Sequence, residues 1–280
     1  MNLQYAISFG AKILKKNNIS LPSLDSEILI SKAINKKREY VLINLEQEIG
    51  KKEFNLFNKL ILSRSRGKPI AYIVKKKSFW KNDFYISSDV LIPRPETEII
   101  VDQTLKLTKY KSSLNILDVG VGSGCILLSI LNERKDFYGT GIDINAKSLL
   151  VSKINAKKFG LRNKVKFFKS DIDNFNYGKY DLIISNPPYI KKLDLKCLEK
   201  DVIGYEPRMA LDGGIEGLSE IRKVINKSSE LIRRNGKLIL EIAFDQKKEV
   251  KKILSNKGFY INKVIKDLAN KDRCIISTKI

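Results

Sequence analysis

Apolar residues recur at helical spacing through the first part of the chain. Leu3, Ala6, Ile7, Gly10, Ile13 and Leu14 fall on one stripe, Leu24, Ile28, Leu29 and Ile34 on another, and Phe54, Phe57, Leu60 and Ile61 on a further one. The spacing predicts a small helical domain over residues 1–70, where Gly67 and Pro69 end the helical pattern. From 71 to 92 a linking hairpin is expected: Ile70, Tyr72 and Val74 alternate, and Phe79, Trp80, Phe84 and Tyr85 form an aromatic cluster. Over residues 93–280 apolar runs predict strands at 114–119, 138–143, 165–170, 182–185 and 237–242, with helices over 124–132, 146–159, 216–233 and 246–257. Strand and helix alternating in this way builds a parallel sheet covered on both faces by helices. The last runs, 259–265 and 274–278, have no helix between them and predict an antiparallel hairpin at the sheet edge.

Composition narrows the chemistry. The chain of 280 residues carries 53 Lys+Arg and 31 Asp+Glu, a net charge of +22, and no histidine. Without histidine there is no Ser-His-Asp triad, no Cys-His pair and no histidine-ligated zinc. Cys125, Cys197 and Cys274 are far apart with no C-x-x-C spacing, so no metal site or disulfide framework is readable, and a reducing cytoplasmic compartment is expected. The start of the chain lacks the order of a secretory signal, since Lys12, Lys15 and Lys16 follow the apolar positions and Ser8 and Gly10 interrupt them. No run approaches the roughly 20 apolar residues of a membrane span. The positive charge would suit a polyanion, but the lysines are scattered along the chain rather than gathered into one arm, which favours compositional bias over a dedicated nucleic-acid face.

Candidate chemistry gathers at strand ends. Asp118-Val119-Gly120-Val121-Gly122-Ser123-Gly124 follows an apolar strand and opens a helix, where glycines let the chain turn sharply and a ligand approach the backbone. The spacing is G-x-G-x-G, unlike the G-x-G-x-x-G of dinucleotide folds, and no Lys-Ser/Thr follows as in a triphosphate loop. About twenty residues on, Gly141-Ile142-Asp143 ends the next strand with an acid able to hold two ribose hydroxyls. Ser170-Asp171-Ile172 ends the one after. Asp118 repels a pyrophosphate but tolerates a cation, so S-adenosyl-L-methionine, with an ammonium, a sulfonium and a ribose, matches these residues better than NAD.

After the fourth strand comes Asn186-Pro187-Pro188-Tyr189. Prolines halt the ladder and leave carbonyls without a neighbouring N–H. The Asn186 and Pro187 carbonyl oxygens can together accept both hydrogens of a planar NH2 group, with Tyr189 against its flat face. Here the sequence resembles the class I methyltransferases bearing N-P-P-Y, which methylate amino groups conjugated to a π system. Leu91-Ile92-Pro93-Arg94-Pro95-Glu96-Thr97-Glu98, Tyr205-Glu206-Pro207 and Leu211-Asp212-Gly213-Gly214-Ile215-Glu216-Gly217 narrow the resemblance to the PrmC/HemK family. It covers most of the chain from residue 70 onward, and a helical amino-terminal domain agrees with it.

The resemblance implies a Rossmann-like, mostly parallel seven-stranded sheet with an antiparallel carboxy-terminal hairpin, and methyl transfer from S-adenosyl-L-methionine to the N5 amide nitrogen of a glutamine in peptide chain release factors. It implies cofactor contacts by Gly120, Val121, Gly122, Ser123, Gly124, Asp143, Asp171, Ile172 and Asn186. Substrate is implied at Asn186, Pro187, Pro188 and Tyr189, of which Asn186, Pro187 and Tyr189 serve catalysis; no metal is implied, and the helical domain docks the substrate. The chain departs from the family's usual residues at Lys75 (often glycine), Ser78 (often glutamate), Ala243 and Asn270 (usually glycine). The alternatives are methylation of a ribosomal-protein glutamine, or of adenine N6 or cytosine N4 in nucleic acid. A binding protein that had lost catalysis would be expected to lose the glycines, Asp143 or N-P-P-Y first, and all are present.

Overall fold

The computed structural model describes all 280 residues, which divide into two compact units, Met1–Lys76 with Glu199–Tyr205, and Lys77–Leu198 with Glu206–Ile280. The first unit opens with α1 (Leu3–Lys16), α2 (Pro22–Ala33), α3 (Arg38–Ile43) and α4 (Lys51–Ser65). Asn2 caps α1 by accepting the Tyr5 amide at 3.0 Å, and Lys15 and Lys16 sit at its negative end. The three apolar stripes do meet: Leu3, Ala6, Leu14, Leu29, Ile30, Phe57 and Ile61 form one buried core. α3 carried no clear stripe, and only Val41 of it is buried. Within this core Asp25 and Arg64 form a buried ion pair at 2.6 Å, and Arg64 also donates to the Lys68 carbonyl at 3.1 Å.

The expected strand at 70–74 is instead a short helix, α5 (Ile70–Val74). All five residues of Ile70-Ala71-Tyr72-Ile73-Val74 are apolar, so no polar positions mark a period, and three consecutive ones are buried. Lys75 ends the helix at φ +59°, a left-handed conformation that accounts for the glycine usual in the family. The hairpin follows as β1 (Lys76–Phe79) and β2 (Asn82–Tyr85), and Ser78 donates to Asp83 across it at 2.7 Å.

In the second unit a 3₁₀ turn at Pro95–Thr97 leads into α6 (Glu98–Leu107), with Pro95 in the first turn, where no amide bond is lost, and Glu96 and Glu98 at the positive end. Then come β3 (Asn115–Val119), α7 (Cys125–Glu133), β4 (Tyr138–Asp143), α8 (Ala146–Lys158), β5 (Val165–Lys169) and β6 (Tyr180–Ser185). The next helix, α9 (Lys200–Tyr205), belongs with the first unit, and the Tyr205 hydroxyl donates to the Arg66 carbonyl there at 3.1 Å. The chain ends with α10 (Ser219–Leu231), β7 (Ile232–Glu241), α11 (Lys247–Asn256), β8 (Phe259–Lys266) and β9 (Asp272–Lys279). The helix expected to reach 233 stops at Leu231, because Ile232 already pairs with Tyr180 in the sheet.

The seven strands lie in the order β5-β4-β3-β6-β7-β9-β8, parallel from β5 to β7, with β9 antiparallel to both β7 and β8. From β3 the chain moves outward to β4 and β5, then returns to place β6 on the other side of β3. The order therefore reverses between β3 and β6, where open α/β sheets leave a crevice at the carboxyl ends of their strands. Leu117, Ile183, Leu238, Leu240 and Ile275 from the middle strands are all fully buried, which holds those strand ends in fixed register.

The core of the first unit carries a prediction. A Cβ on Gly10 would lie 2.4 Å from Ser26 Oγ, 2.6 Å from the Phe57 ring and 2.8 Å from Ile61, distances that demand movement. Gly10→Val should destabilise that unit by about 1–3 kcal/mol, read as a lowered midpoint in urea by circular dichroism. An unchanged midpoint would show that these helices are not so closely apposed.

Candidate active site

The crevice is lined by the exits of β3, β4, β5 and β6, and encloses about 900 Å³ of atom-free space, open solvent at its mouth included. On the β3 side the glycine loop folds back on β4, with the Gly120 and Val121 amides donating to the Ile142 carbonyl at 3.0 and 2.9 Å. Gly120 and Gly122 have φ of +76° and +53°, and a Cβ on either would meet no side chain within 4 Å. Glycine is required there for the backbone turn, and it leaves the loop bare toward the cleft. Asp143, at the end of β4, accepts the Gly122 amide at 3.0 Å and the Asn145 amide at 2.8 Å, one on each oxygen. Burial pushes its pKa up and those amides pull it back; each oxygen keeps a lone pair for a further donor.

Asp171 and Ile172 line the wall beyond β5, and Asp171 caps the following 3₁₀ turn by accepting the Asp173 amide at 3.1 Å. Asp89, Asp143, Asp171 and Glu220 all face the cleft, while no lysine or arginine does. In a chain of net charge +22 this wall suits a cationic, phosphate-free ligand and opposes a pyrophosphate. Asp118 does not reach the wall. It is buried beneath the glycine loop with neither oxygen hydrogen-bonded, and burial raises its pKa to about 7, helped by the like charge of Asp143 and opposed by the nearby Leu127 amide.

Asn186, Pro187 and Pro188 form the β6 side of the cleft. The Asn186 amide nitrogen donates to Thr97 Oγ1 at 3.1 Å, which turns its carbonyl oxygen away from Thr97. Tyr189 lies behind, packed on the core, with its hydroxyl donating to Glu241 at 3.2 Å. Its backbone is gripped from two directions. Gln246 bridges the Tyr189 and Gly217 carbonyls at 3.1 and 2.9 Å, and Ile190 exchanges hydrogen bonds with Leu211 and Gly213. A Cβ on Gly217 would stand 2.4 Å from the Tyr189 carbonyl oxygen, so only glycine fits. Buried Glu206 accepts the Ile92 amide at 3.1 Å and pairs with Arg94 at 2.6 Å. Of the expected site residues, Gly120, Gly122, Asp143, Asp171, Ile172, Asn186, Pro187 and Pro188 border the cleft together. Val121 and Ser123 are buried in the loop, Gly124 begins α7, and Tyr189 supports from behind.

Comparison with known proteins decides the family. Residues 97–267 match the methyltransferase small domain, and residues 6–74 match the PrmC N-terminal domain. The release factor glutamine methyltransferase of Caulobacter vibrioides is 33% identical over 95% of this chain and 92% of its own length. That of Clostridium acetobutylicum is 35% identical over 100% of this chain and 99% of its own. The chain belongs to the PrmC/HemK methyltransferase family. A bifunctional methyltransferase of Rickettsia conorii is 32% identical over the whole chain, which spans 58% of that longer protein. Among solved structures, a ribosomal protein L11 methylase from Lactobacillus delbrueckii subsp. bulgaricus gives a TM-score of 0.53 at 17% identity, covering 70% of this chain and 84% of that one. A methyltransferase from Pyrococcus furiosus gives 0.53 at 17% identity over 79% and 97%. Both share the class I methyltransferase fold.

The segments that distinguish the PrmC/HemK family are thus largely braces. The Arg94 and Thr97 segment, Glu206 and the glycines at 213 and 217 hold the N-P-P-Y exit in place. Thr97 and Glu241 were not foreseen as site residues. Thr97 lies in the segment that marks the family resemblance, with nothing local to show its partner, and Glu241 ends an apolar strand just as Asp143 does. Gln246 and Asn155, which bonds both Tyr85 and the Ser123 carbonyl, gave no sequence signal.

Asp118 should make the stability of this chain depend on pH. Its folded pKa lies above its ordinary value of 3.8, at about 7, so the folded protein holds a proton there that the unfolded chain releases. Stability should fall as pH rises through that window and level off above it. Asp118→Asn removes this part, leaving that of Glu241, so melting temperatures at pH 5 and pH 8 should lie closer together in the variant. An equal gap in both proteins would contradict the burial of a protonatable Asp118.

Proposed function

We propose that the chain transfers a methyl group from S-adenosyl-L-methionine to the side-chain N5 of the glutamine in the Gly-Gly-Gln motif of peptide chain release factors, acting in the cytoplasm and requiring no nucleic acid. The observation that carries this reading is the Asn186 carboxamide, turned so that its oxygen is free beside a cleft with acids on its wall and no base. The cofactor supplies an electrophilic methyl on a sulfonium. Gly120, Val121, Gly122, Ser123 and Gly124 shape the loop that holds it, Asp143 receives its ribose hydroxyls, and Asp171 and Ile172 flank its adenine. Neutral-to-acidic walls suit it where they would oppose a nucleic-acid backbone, which weighs against an adenine or cytosine substrate. The helical domain over residues 1–70 docks the release factor.

An amide nitrogen is a weak nucleophile because its lone pair is shared with the carbonyl. Asn186 and the Pro187 carbonyl accept its two hydrogens and aim it, while Pro188 flanks the flat group and Tyr189 braces the strand exit from behind. As the nitrogen gains positive charge those hydrogen bonds strengthen, so they favour the transition state over the ground state. Alignment alone can supply on the order of 7–11 kcal/mol. The N-protonated methylamide formed as the methyl leaves sulfur is a strong acid and gives its proton to water, so no histidine is needed.

Incubation with a release factor and labelled cofactor, followed by tandem mass spectrometry, should find a methylated glutamine in Gly-Gly-Gln; methyl on nucleic acid instead would overturn the assignment. Asn186→Ala should abolish turnover and leave cofactor affinity nearly intact. Asp143→Ala should weaken cofactor binding by roughly ten- to a hundredfold in calorimetry, from the loss of charged hydrogen bonds.

A further inference from the structure

We infer that Ser148, Ser152 and Asn155 of α8 are positioning residues for the cofactor, which hold the glycine loop and the facing wall of the cleft in place before S-adenosyl-L-methionine arrives. The inference rests on the proposed placement of the cofactor against Gly120–Gly124. A helix packed on an apolar sheet ordinarily turns an apolar stripe inward. α8 buries a polar one as well. Asn145, its cap, and Ser148, Ser152 and Asn155 recur at i, i+3, i+7 and i+10, so they share one face. Ser148 is buried, and Ser152 and Asn155 are completely so.

The partners of this stripe are backbone groups of two cleft segments. Ser152 Oγ donates to the Gly122 carbonyl at 2.6 Å; the Ser148 carbonyl one turn back, at 3.4 Å, is the poorer acceptor. Asn155 Nδ2 donates to the Ser123 carbonyl at 2.9 Å and the Tyr85 carbonyl at 3.0 Å, while its Oδ1 accepts the Tyr85 amide at 2.7 Å. Ser148 Oγ and Asn145 Nδ2 both donate to the Asp89 carbonyl, at 2.9 and 3.3 Å. One carboxamide, that of Asn155, therefore joins the glycine loop to the end of β2.

Both segments need outside support. Three glycines at positive φ give the loop wide conformational freedom. The β4 side holds its amides, through the Ile142 carbonyl and Asp143, and α8 holds its carbonyls. Gly122 is gripped by its amide from one side and by its carbonyl from the other. Across the cleft, residues 86–94 run between β2 and the turn at Pro95 without helix or strand, and Asp89, Val90 and Leu91 line the cavity. There Asn155 grips Tyr85 by amide and carbonyl as a neighbouring strand would, and Ser148 and Asn145 take Asp89. A loop in place only part of the time lowers apparent affinity by the fraction in the competent form. Once the cofactor saturates, the ligand itself holds the loop, so turnover stays as it was. That separates this stripe from Asn186, whose loss acts on turnover.

Wild type, S152A, S152C, S148A and, as a control, S228A are compared. Ser228 is buried in α10 with its hydroxyl unpartnered, so S228A shows what losing a buried serine does by itself. Three quantities are read: Kd for S-adenosyl-L-methionine by calorimetry, kcat and KM for a release factor at saturating cofactor, and hydrogen exchange of the Gly120–Gly124 amides with and without cofactor. S152A should raise Kd about threefold to tenfold and leave kcat and the release-factor KM near wild type. S152C, which fills the same space but donates only weakly, should do likewise, and it keeps the test open should S152A not fold. In both, the loop amides should exchange faster than in wild type without cofactor and at the wild-type rate with it. S148A should raise Kd less, because Asn145 keeps the Asp89 carbonyl partnered, and S228A should change neither Kd nor loop exchange. Wild-type affinity in S152C, or a raised Kd with unaltered exchange in the ligand-free loop, overturns the inference. An Asp143→Ala variant that binds cofactor as wild type does would instead overturn the placement of the cofactor, and exchange in the ligand-free protein would still judge the bracing.

Discussion

Proline has no amide hydrogen, so the chain that leaves β6 through Pro187 and Pro188 cannot extend the sheet by donating to a neighbour. The prolines fix their own φ and keep the residue before each extended, but they leave the Asn186 side chain and the chain beyond Pro188 free to turn. The surrounding structure removes that freedom one contact at a time. Gln246 and the glycines at 213 and 217 clamp the backbone of Tyr189, Thr97 takes the nitrogen of Asn186, and Tyr189 anchors its hydroxyl on Glu241. The reward for this bracing is preorganisation: acceptors fixed before substrate arrives need no reordering in the transition state.

Electrostatics at the cleft run against the character of the whole chain. Lysines give the surface a large positive charge, yet four acids and no base border the cleft. The net charge governs solubility and long-range attraction, whereas the local wall decides which ligand can be held. Two acids, Asp118 and Glu241, are buried deeper and lack partners for one or both oxygens. Such groups cost stability as they ionise, and both sit against segments that bear on the cleft: the glycine loop in one case and Tyr189 in the other.

The order in which chemistry became readable follows the range of the interactions. Strand and helix alternation, the glycine loop, the strand-end acids Asp143 and Asp171, and Asn186 through Tyr189 are local signals, each complete within a few residues. α5 is not legible because five apolar residues in a row have no period; folded, it turns Ile70, Ile73 and Val74, at i, i+3 and i+4, onto the core of the first unit. Lys75 and Asn270, odd against the family's glycines, are explained by left-handed φ of +59° and +60°.

Sequence alone determined the alternating α/β plan, the helical part that precedes it, and the glycine loop and proline strand exit, because backbone conformation and amphipathic period are set by near neighbours. Only the tertiary structure decided what holds Asn186 in its orientation. Thr97, Glu206, Glu241 and Gln246 are separated from it along the chain by at least 20 residues and meet it, or the strand exit it belongs to, only where folding brings their elements together. A hydrogen bond depends on ångström-scale placement of two side chains, and no periodicity in either segment encodes that distance.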